Sequence, residues 1–293
     1  MQERRGGLLE YSQISLQIYW HILLIILFNL ATVQFFLILN LAARQSVFTF
    51  PLSVPYHMST FYAPDLAPGH ASYLLPEDES KHAVRVLRLA PGDAVTLVVG
   101  RGTCFTAAVA EANPKRCSLR ITAQEVIAPR PTYTHVAVAP TKNLDRMEWL
   151  VEKAVEVGIE RLTFLRCARS ERRELKLERL EKIAVSALKQ SGQAWLPQLD
   201  ELTDFAGFIQ EIDPATTFIA HLEAGERTAL AQVIGAAPRC CVLIGPEGDF
   251  SPAEIDLALG RGVRPVTLGA SRLRTETAAL AAVFTAQVVR ELY

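Results

Sequence analysis

The stretch Leu243–Asp256, LIGPEGDFSPAEID, orders the rest of the chain. A short apolar run, Cys240–Ile244, has strand character and stops at Gly245-Pro246. Ser251-Pro252-Ala253-Glu254 then opens a helix. Serine with glutamate three residues later is a capping box, and Pro252 falls at N1, where its missing N–H costs nothing. Strand, glycine loop and helix form the repeating unit of an open α/β sheet, whose ligands sit beyond the carboxyl ends of the strands. The loop itself is neither GxxxxGK[ST] nor GxGxxG, and Glu247 and Asp249 would repel a phosphate. Two readings stay open on local physics. One is a structural turn with a helix cap. The other is a loop whose glycines admit a neutral or positively charged ligand.

The same alternation extends on both sides of this stretch. HVAVAP from His135 reads as a buried strand. Met147, Leu150, Val151, Ala154 and Val157 then recur at helical spacing, with Gly158 as the C-cap. RLTFLRC is a strand, and a long charged helix is predicted from about Arg172 to Gln193. TFIAHL, CVLIG and PVTLG are three further strands with helical segments between and after them. Such a pattern requires crossovers and a parallel sheet covered on both faces. It places the loops at Leu222, Gly245 and Gly269 on one edge. In LGASRLRTETAALAAV (Leu268–Val283), Thr275 is expected to cap the last helix, with Leu280, Val283, Phe284 and Val288 as its buried stripe. Arg272 and Arg274 precede that helix, where positive charge opposes the macrodipole. Arg274 therefore either meets an anionic or polar ligand group or pairs with Glu276.

Residues 58–128 read differently, as short β-strands between Gly, Pro and Asn turns, which suggests a small barrel. AVRVLRL (Ala83–Leu89) is expected to be one of its extended segments, and Pro129-Arg130-Pro131 a stiff linker. Residues 1–57 are a third material. From Tyr11 to Ala43 there is no Asp, Glu, Lys or Arg, and spanning a bilayer needs about 20 apolar residues. We read this extension first as upstream sequence ahead of a start at Met58. The second reading is a membrane anchor using residues 14–43. It is too long for a cleaved signal.

With 293 residues, half of them apolar, the chain has room for one large or two ordinary domains. The formal net charge of -1 excludes a bulk electrostatic nucleic-acid binder, so any such role rests on local patches. Five cysteines without CxxC or zinc spacing fit reduced thiols, and no metal site is expected.

Four segments in order now carry a resemblance. LIGPEG-FS--EI and LG--RLRTETA together resemble the paired C-terminal motifs of the RsmE family, the 16S ribosomal RNA uridine-N3 methyltransferases of the SPOUT class. HAVRVLRLAPGD (His82–Asp93) is similar to that family's RNA-binding barrel motif. KNLDRMEWLVEKAVEVGI (Lys142–Ile159) is similar to its first helix, and ALKQSGQAWLP (Ala187–Pro197) to its Gln-Ser segment. The resemblance spans residues 58–293. Asp249 departs from a glycine usual in the family's loop, which adds negative charge near the cofactor edge. Val157 replaces a usual leucine.

The resemblance implies an α/β fold: a PUA-like β-barrel at 58–128, then a SPOUT methyltransferase domain with a C-terminal trefoil knot at 132–293. It implies S-adenosylmethionine as cofactor, no metal, a homodimer, the cytoplasm, and 16S rRNA of the small ribosomal subunit as partner. The cofactor residues carried over are Leu222, Gly245, Pro246, Glu247, Gly248, Leu268, Gly269, Leu273 and Thr277. Arg274 would stabilise charge developing on uracil. Glu276 would orient Arg274, assist with the proton, or serve only as a helix N-terminal acid. His82, Arg85, Arg88, Lys142, Arg169, Arg172 and Gln190 would contact RNA. A second patch, Arg166, Arg169, Arg172 and Arg173, is diluted by Glu171 and Glu174 and also reads as a solvated helix face. Two other functions remain open: a non-catalytic RNA-binding protein on the same scaffold, and a membrane-anchored protein.

Overall fold

A computed structural model describes residues 58–292 except residue 236. The expectations placed on residues 1–57 lie outside the described residues.

Two sheets divide the described chain. The first has five strands: β1 (Ser59–Tyr62), β2 (Ser72–Leu74), β3 (Ala94–Val98), β4 (Thr103–Glu111) and β5 (Ser118–Val126), in the order β1-β3-β4-β5-β2. Phe61, Leu97, Phe105 and Leu119 fill its core. The segment expected to be extended, Ala83–Leu89, is not a strand. Helix α1 (Glu77–Lys81) runs into a π-helical turn at His82–Val86, and Leu87 N–H donates to His82 O. A helical nucleus behind Pro76, with a Glu77–Lys81 pair at 2.7 Å, outweighs the strand propensity of the two valines.

The second sheet has seven strands, all parallel: β6 (Tyr133–Val138), β7 (Arg161–Arg166), β8 (Gln198–Asp204), β9 (Thr217–Ala220), β10 (Thr228–Ala229), β11 (Arg239–Ile244) and β12 (Arg264–Thr267). Their order is β10-β12-β9-β11-β6-β7-β8. The polar edge strand β8 (QLDELTD) has no apolar alternation, so periodicity does not reveal it. One face is covered by α2 (Leu144–Val157), α3 (Leu177–Ser191) and α7 (Thr275–Leu292). The other carries α4 (Phe205–Glu211) and α6 (Pro252–Gly260), through Phe205, Phe208, Ile255 and Ala258. The short α5 (Leu230–Val233) packs on α7. All five cysteines are buried and free.

Local signals hold at several ends. Asn143 caps α2, and Gly158 closes it at φ 101°. Ser251 and Glu254 form the capping box of α6, with Pro252 at N1. Other expectations need correction. The charged helix begins at Leu177, not near Arg172, because the Arg172 guanidinium is turned back onto the carbonyls of Thr141 and Lys142. Helix α7 begins at Thr275, whose hydroxyl donates to Gly245 O (3.1 Å). The buried face of α7 is Ala279, Ala282, Val283, Ala286 and Val289, while Phe284 and Val288 are half exposed. Alanines let the helix approach the sheet closely, so its large apolar side chains point the other way.

The two sheets meet where Gly100–Gly102 lies along Ala194–Leu196. Leu196 N–H donates to Gly100 O, Gly102 N–H to Ala194 O, and the Trp195 indole to Ile127 O (3.0 Å). Gly102 has φ 81°, and a Cβ there would collide with the Trp195 ring.

Candidate functional site

Five elements converge at the carboxyl edge of the parallel sheet. The loop after β11 is their centre. Pro246–Asp249 forms a turn closed by Asp249 N–H to Pro246 O (2.9 Å). Gly245 is buried, and a Cβ there would stand 3.0 Å from the Phe250 nitrogen. Neither Gly245 nor Gly248 has left-handed backbone. Asp249 does, at φ 63°.

The loop is held from several sides. Thr275 fixes Gly245 O from the start of α7. Arg169, in the loop after β7, donates to Gly248 O (2.8 Å) and Phe250 O (3.1 Å). Arg146, in the first turn of α2, pairs with Glu247 at 2.9 Å and lies 3.7 Å from Glu276. Asp249 accepts from Leu222 N–H (2.7 Å), in the loop after β9, and from Phe250 N–H (2.8 Å). Glu254 accepts from Ala168 N–H (2.7 Å), which ties the α6 cap to the loop after β7.

Glu276 is the buried charge of this edge. It is 6% exposed, and its Oε2 is buried without a partner. An acid in the first turn of α7 suits the helix dipole, and Arg146 supplies the opposite charge. Glu276 is therefore not paired with Arg274. Arg274 is exposed, and among the described residues it forms no ion pair. A second orphan adjoins Leu222, in the loop after β9. His221 is 7% exposed, and both ring nitrogens are buried and unpartnered. Burial pushes its pKa below the usual histidine value.

The nine residues expected to hold a cofactor thus fall on three neighbouring loops and the start of α7. Gly245 and Pro246 are buried, Leu268 and Leu273 half-buried, and Leu222, Glu247, Gly248, Gly269 and Thr277 exposed. The residues expected to contact RNA divide. Lys142 and Arg172 line one cavity of about 380 Å³ with Arg173, Glu171 and Glu174, and Lys142 pairs with Glu171 at 3.0 Å. The guanidinium of Arg169 is committed to the loop after β11. His82, Arg85 and Arg88 are exposed on the π-helical turn and just after it, with Arg88 at φ 57°. Gln190 lies near the far end of α3, next to Lys189, which pairs with Glu79 of α1 (2.6 Å). Sequence reasoning missed Arg146, although it stands in a quoted motif. The available signal was an arginine in a helix first turn, which needs a compensating acid.

A different cavity, of about 400 Å³, opens at the amino ends of the strands, between Tyr133, His135, Arg161 and Arg239. It contains none of these loop residues. Among the described residues, no group of three His, Cys, Asp or Glu side chains is placed to hold a metal ion.

Known proteins resemble this chain in sequence and in fold. The sequence pattern of a family described as an RNA methyltransferase domain matches residues 128–287, more than half of the chain. One described as an RNA methyltransferase PUA domain matches residues 75–122. A solved structure titled as a probable rRNA-methyltransferase from Porphyromonas gingivalis is 40% identical, with a TM-score of 0.76. It covers 80% of this chain and 100% of its own. The ribosomal RNA small subunit methyltransferase E from Neisseria gonorrhoeae, bound to S-adenosyl methionine, is 27% identical with a TM-score of 0.72. It covers 79% of this chain and 98% of its own. The Mycobacterium bovis protein of the same name is 29% identical over 235 residues, 76% of this chain and 88% of the relative.

Proposed function

Since the chain belongs to the RNA methyltransferase family whose pattern covers residues 128–287, we propose that it methylates N3 of a uridine in 16S rRNA of the small ribosomal subunit, using S-adenosylmethionine. The observation that carries this reading is the assembly around the loop after β11. That loop is held by Thr275, Arg146, Arg169 and Asp249, and it faces a buried acid with a free oxygen.

The donor set fits the cofactor. Backbone groups and carboxylates dominate the edge, and no lysine lies in the Gly245–Phe250 loop to receive a phosphate. Leu222, Gly245, Pro246, Glu247, Gly248, Leu268, Gly269, Leu273 and Thr277 would hold it. S-adenosylmethionine would supply a methyl group already made electrophilic by its sulfonium.

The protein's part is then position, a proton and a charge. Uridine N3 is an imide nitrogen that carries a proton at neutral pH. Glu276, near Arg146 and with Oε2 unpartnered, would assist with that proton. Arg274, exposed and without an acidic partner among the described residues, would meet the base. Its planar guanidinium suits the negative charge that spreads onto the uracil oxygens. Lys142 and Arg172 would bind backbone phosphates beside the edge by leaving their present partners, Glu171 and the carbonyls of Thr141 and Lys142, and His82, Arg85 and Arg88 would do so on and after the π-helical turn.

We read residues 58–128 as a PUA-like RNA-binding barrel and residues 132–293 as the catalytic domain with a C-terminal trefoil knot. The contact of Thr275 with Gly245 supports the knot. So does the return of α7 from β12, at the far side of β9, to pack on α2, β6 and β11. A homodimer in the cytoplasm completes the reading. Among the described residues, no helix is long and apolar enough to cross a membrane.

The deciding experiment maps N3-methyluridine in small-subunit rRNA from cells with and without the protein. A modification pattern that does not change on its removal would sink the assignment. A non-catalytic RNA binder on this scaffold would show no affinity for S-adenosylmethionine.

A further inference from the structure

The hydrogen-bonded ladder between β9 and β11 ends at the pair Ala220–Ile244. Beyond it the two strands diverge into loops. Asp249 spans that gap: one carboxylate oxygen accepts from Leu222 N–H at 2.7 Å, the other from Phe250 N–H at 2.8 Å. Hydrogen bonds to an ionised carboxylate are short and stronger than neutral ones. The residue also sits at φ 63°, a conformation that disfavours L side chains, with Asn and Asp among the tolerated exceptions. The side chain therefore occupies a strained position and uses both oxygens on main-chain donors of two different loops.

A buried, unpartnered side chain lies beside the tether. His221, next to Leu222, keeps both ring nitrogens buried without partners. A buried polar group without a hydrogen bond costs free energy that water would recover. Arg227 holds the carbonyl of His221, but nothing satisfies its ring.

We propose that Asp249 is a positioning residue of the cofactor site. Its carboxylate locks the Leu222 wall to the Gly245–Phe250 wall before the cofactor enters, and so sets cofactor affinity without taking part in methyl transfer. Binding to walls already fixed avoids the cost of ordering them. The clamp also consumes the Leu222 N–H. Leu222 is left to offer the ligand only its carbonyl and its exposed side chain. The inference rests on reading these loops as the S-adenosylmethionine site.

The test compares the full-length wild type with Asp249→Gly and Asp249→Asn. Glycine accepts the left-handed backbone and removes the side chain with its carboxylate. Asparagine tolerates the conformation and keeps an acceptor oxygen. Calorimetry with S-adenosylmethionine gives affinity, steady-state kinetics separate KM from kcat, and hydrogen exchange reads the Leu222 amide. Asp249→Gly is expected to weaken cofactor binding and raise its KM about tenfold, the scale expected when one ordered loop is released. Exchange at Leu222 should quicken, kcat at saturation should stay within about twofold, and Asp249→Asn should restore most of the affinity. Unchanged affinity in Asp249→Gly overturns the inference, as does a fall in kcat with KM unmoved. A wild type that binds no S-adenosylmethionine overturns the functional reading and this inference with it. The Leu222 exchange difference would then still show the clamp as a structural tether only.

Discussion

Arg274 and Glu276 stand two residues apart, yet the fold gives them opposite surroundings. Glu276 is buried against Arg146, and Arg274 is exposed. If Arg274 stabilises charge on the base, Arg274→Ala should lower single-turnover methylation on the order of a hundredfold, about 3 kcal/mol of transition-state stabilisation. Cofactor affinity should stay near wild type. Arg274→Lys should also be poor, because a point charge lacks the planar two-point contact. Near-normal single-turnover rates for Arg274→Ala on saturating RNA would remove it from the chemistry. His135 is a residue of another kind. Its Nε2 lies 2.7 Å from the Thr163 hydroxyl, which itself donates to Asp200. Burial first, then the charge of Arg161, holds its pKa at about 4 against an ordinary 6.5. The unfolded chain therefore binds a proton between pH 6.5 and 4 that the folded chain refuses. Stability is full above that window and falls with pH through it, by about 3 kcal/mol for a shift of this size. His221, shifted in the same direction, adds to the fall, whereas the lowered Asp200 and Asp204 carboxylates act only further down. Melting temperatures measured from pH 7 to 4.5 should drop less steeply in His135→Gln, which keeps the bond to Thr163. Parallel curves would rule the residue out as a source of acid sensitivity.

At the level of elements, the most legible feature was the cap of α6, because a capping box is encoded within four residues. Ser251→Ala should cost about 1 kcal/mol. Glu254→Ala should cost more, since Glu254 holds Ser251 and also Ala168 of the neighbouring loop. Thermal midpoints of the two variants give the comparison, and an equal loss would mean the Ala168 contact contributes nothing. The faces of α7 were not legible. Periodicity marks where apolar residues recur, but it cannot say which of two apolar faces meets the sheet. The sheet takes the alanines, and Phe284 and Val288 are left 49% and 50% exposed. The homodimer proposed above would cover these two side chains. Phe284→Glu with Val288→Glu should turn a dimer into a monomer in sedimentation at micromolar concentration. A wild type already monomeric there would count against the dimer.

For the whole molecule, deletion of residues 1–57 is expected to leave folding and S-adenosylmethionine binding intact. Both sheets, their cores and the loops of the site are built from residue 58 onward. A truncated chain without a cooperative melting transition would contradict this. The sequence by itself determined the alternation of strands and helices after His135, the helix ends at Gly158 and Ser251, and which loops share the carboxyl edge. These follow from interactions spanning a few residues and from the handedness of parallel crossovers. Only the tertiary structure decided that Arg146 reaches Glu247 and Glu276, that Arg169 holds the loop after β11, and that Asp249 fastens Leu222. Each of these bonds joins residues more than 25 positions apart. No local pattern encodes such a distance; a charged side chain takes the partner that the packed strands and helices place within its reach.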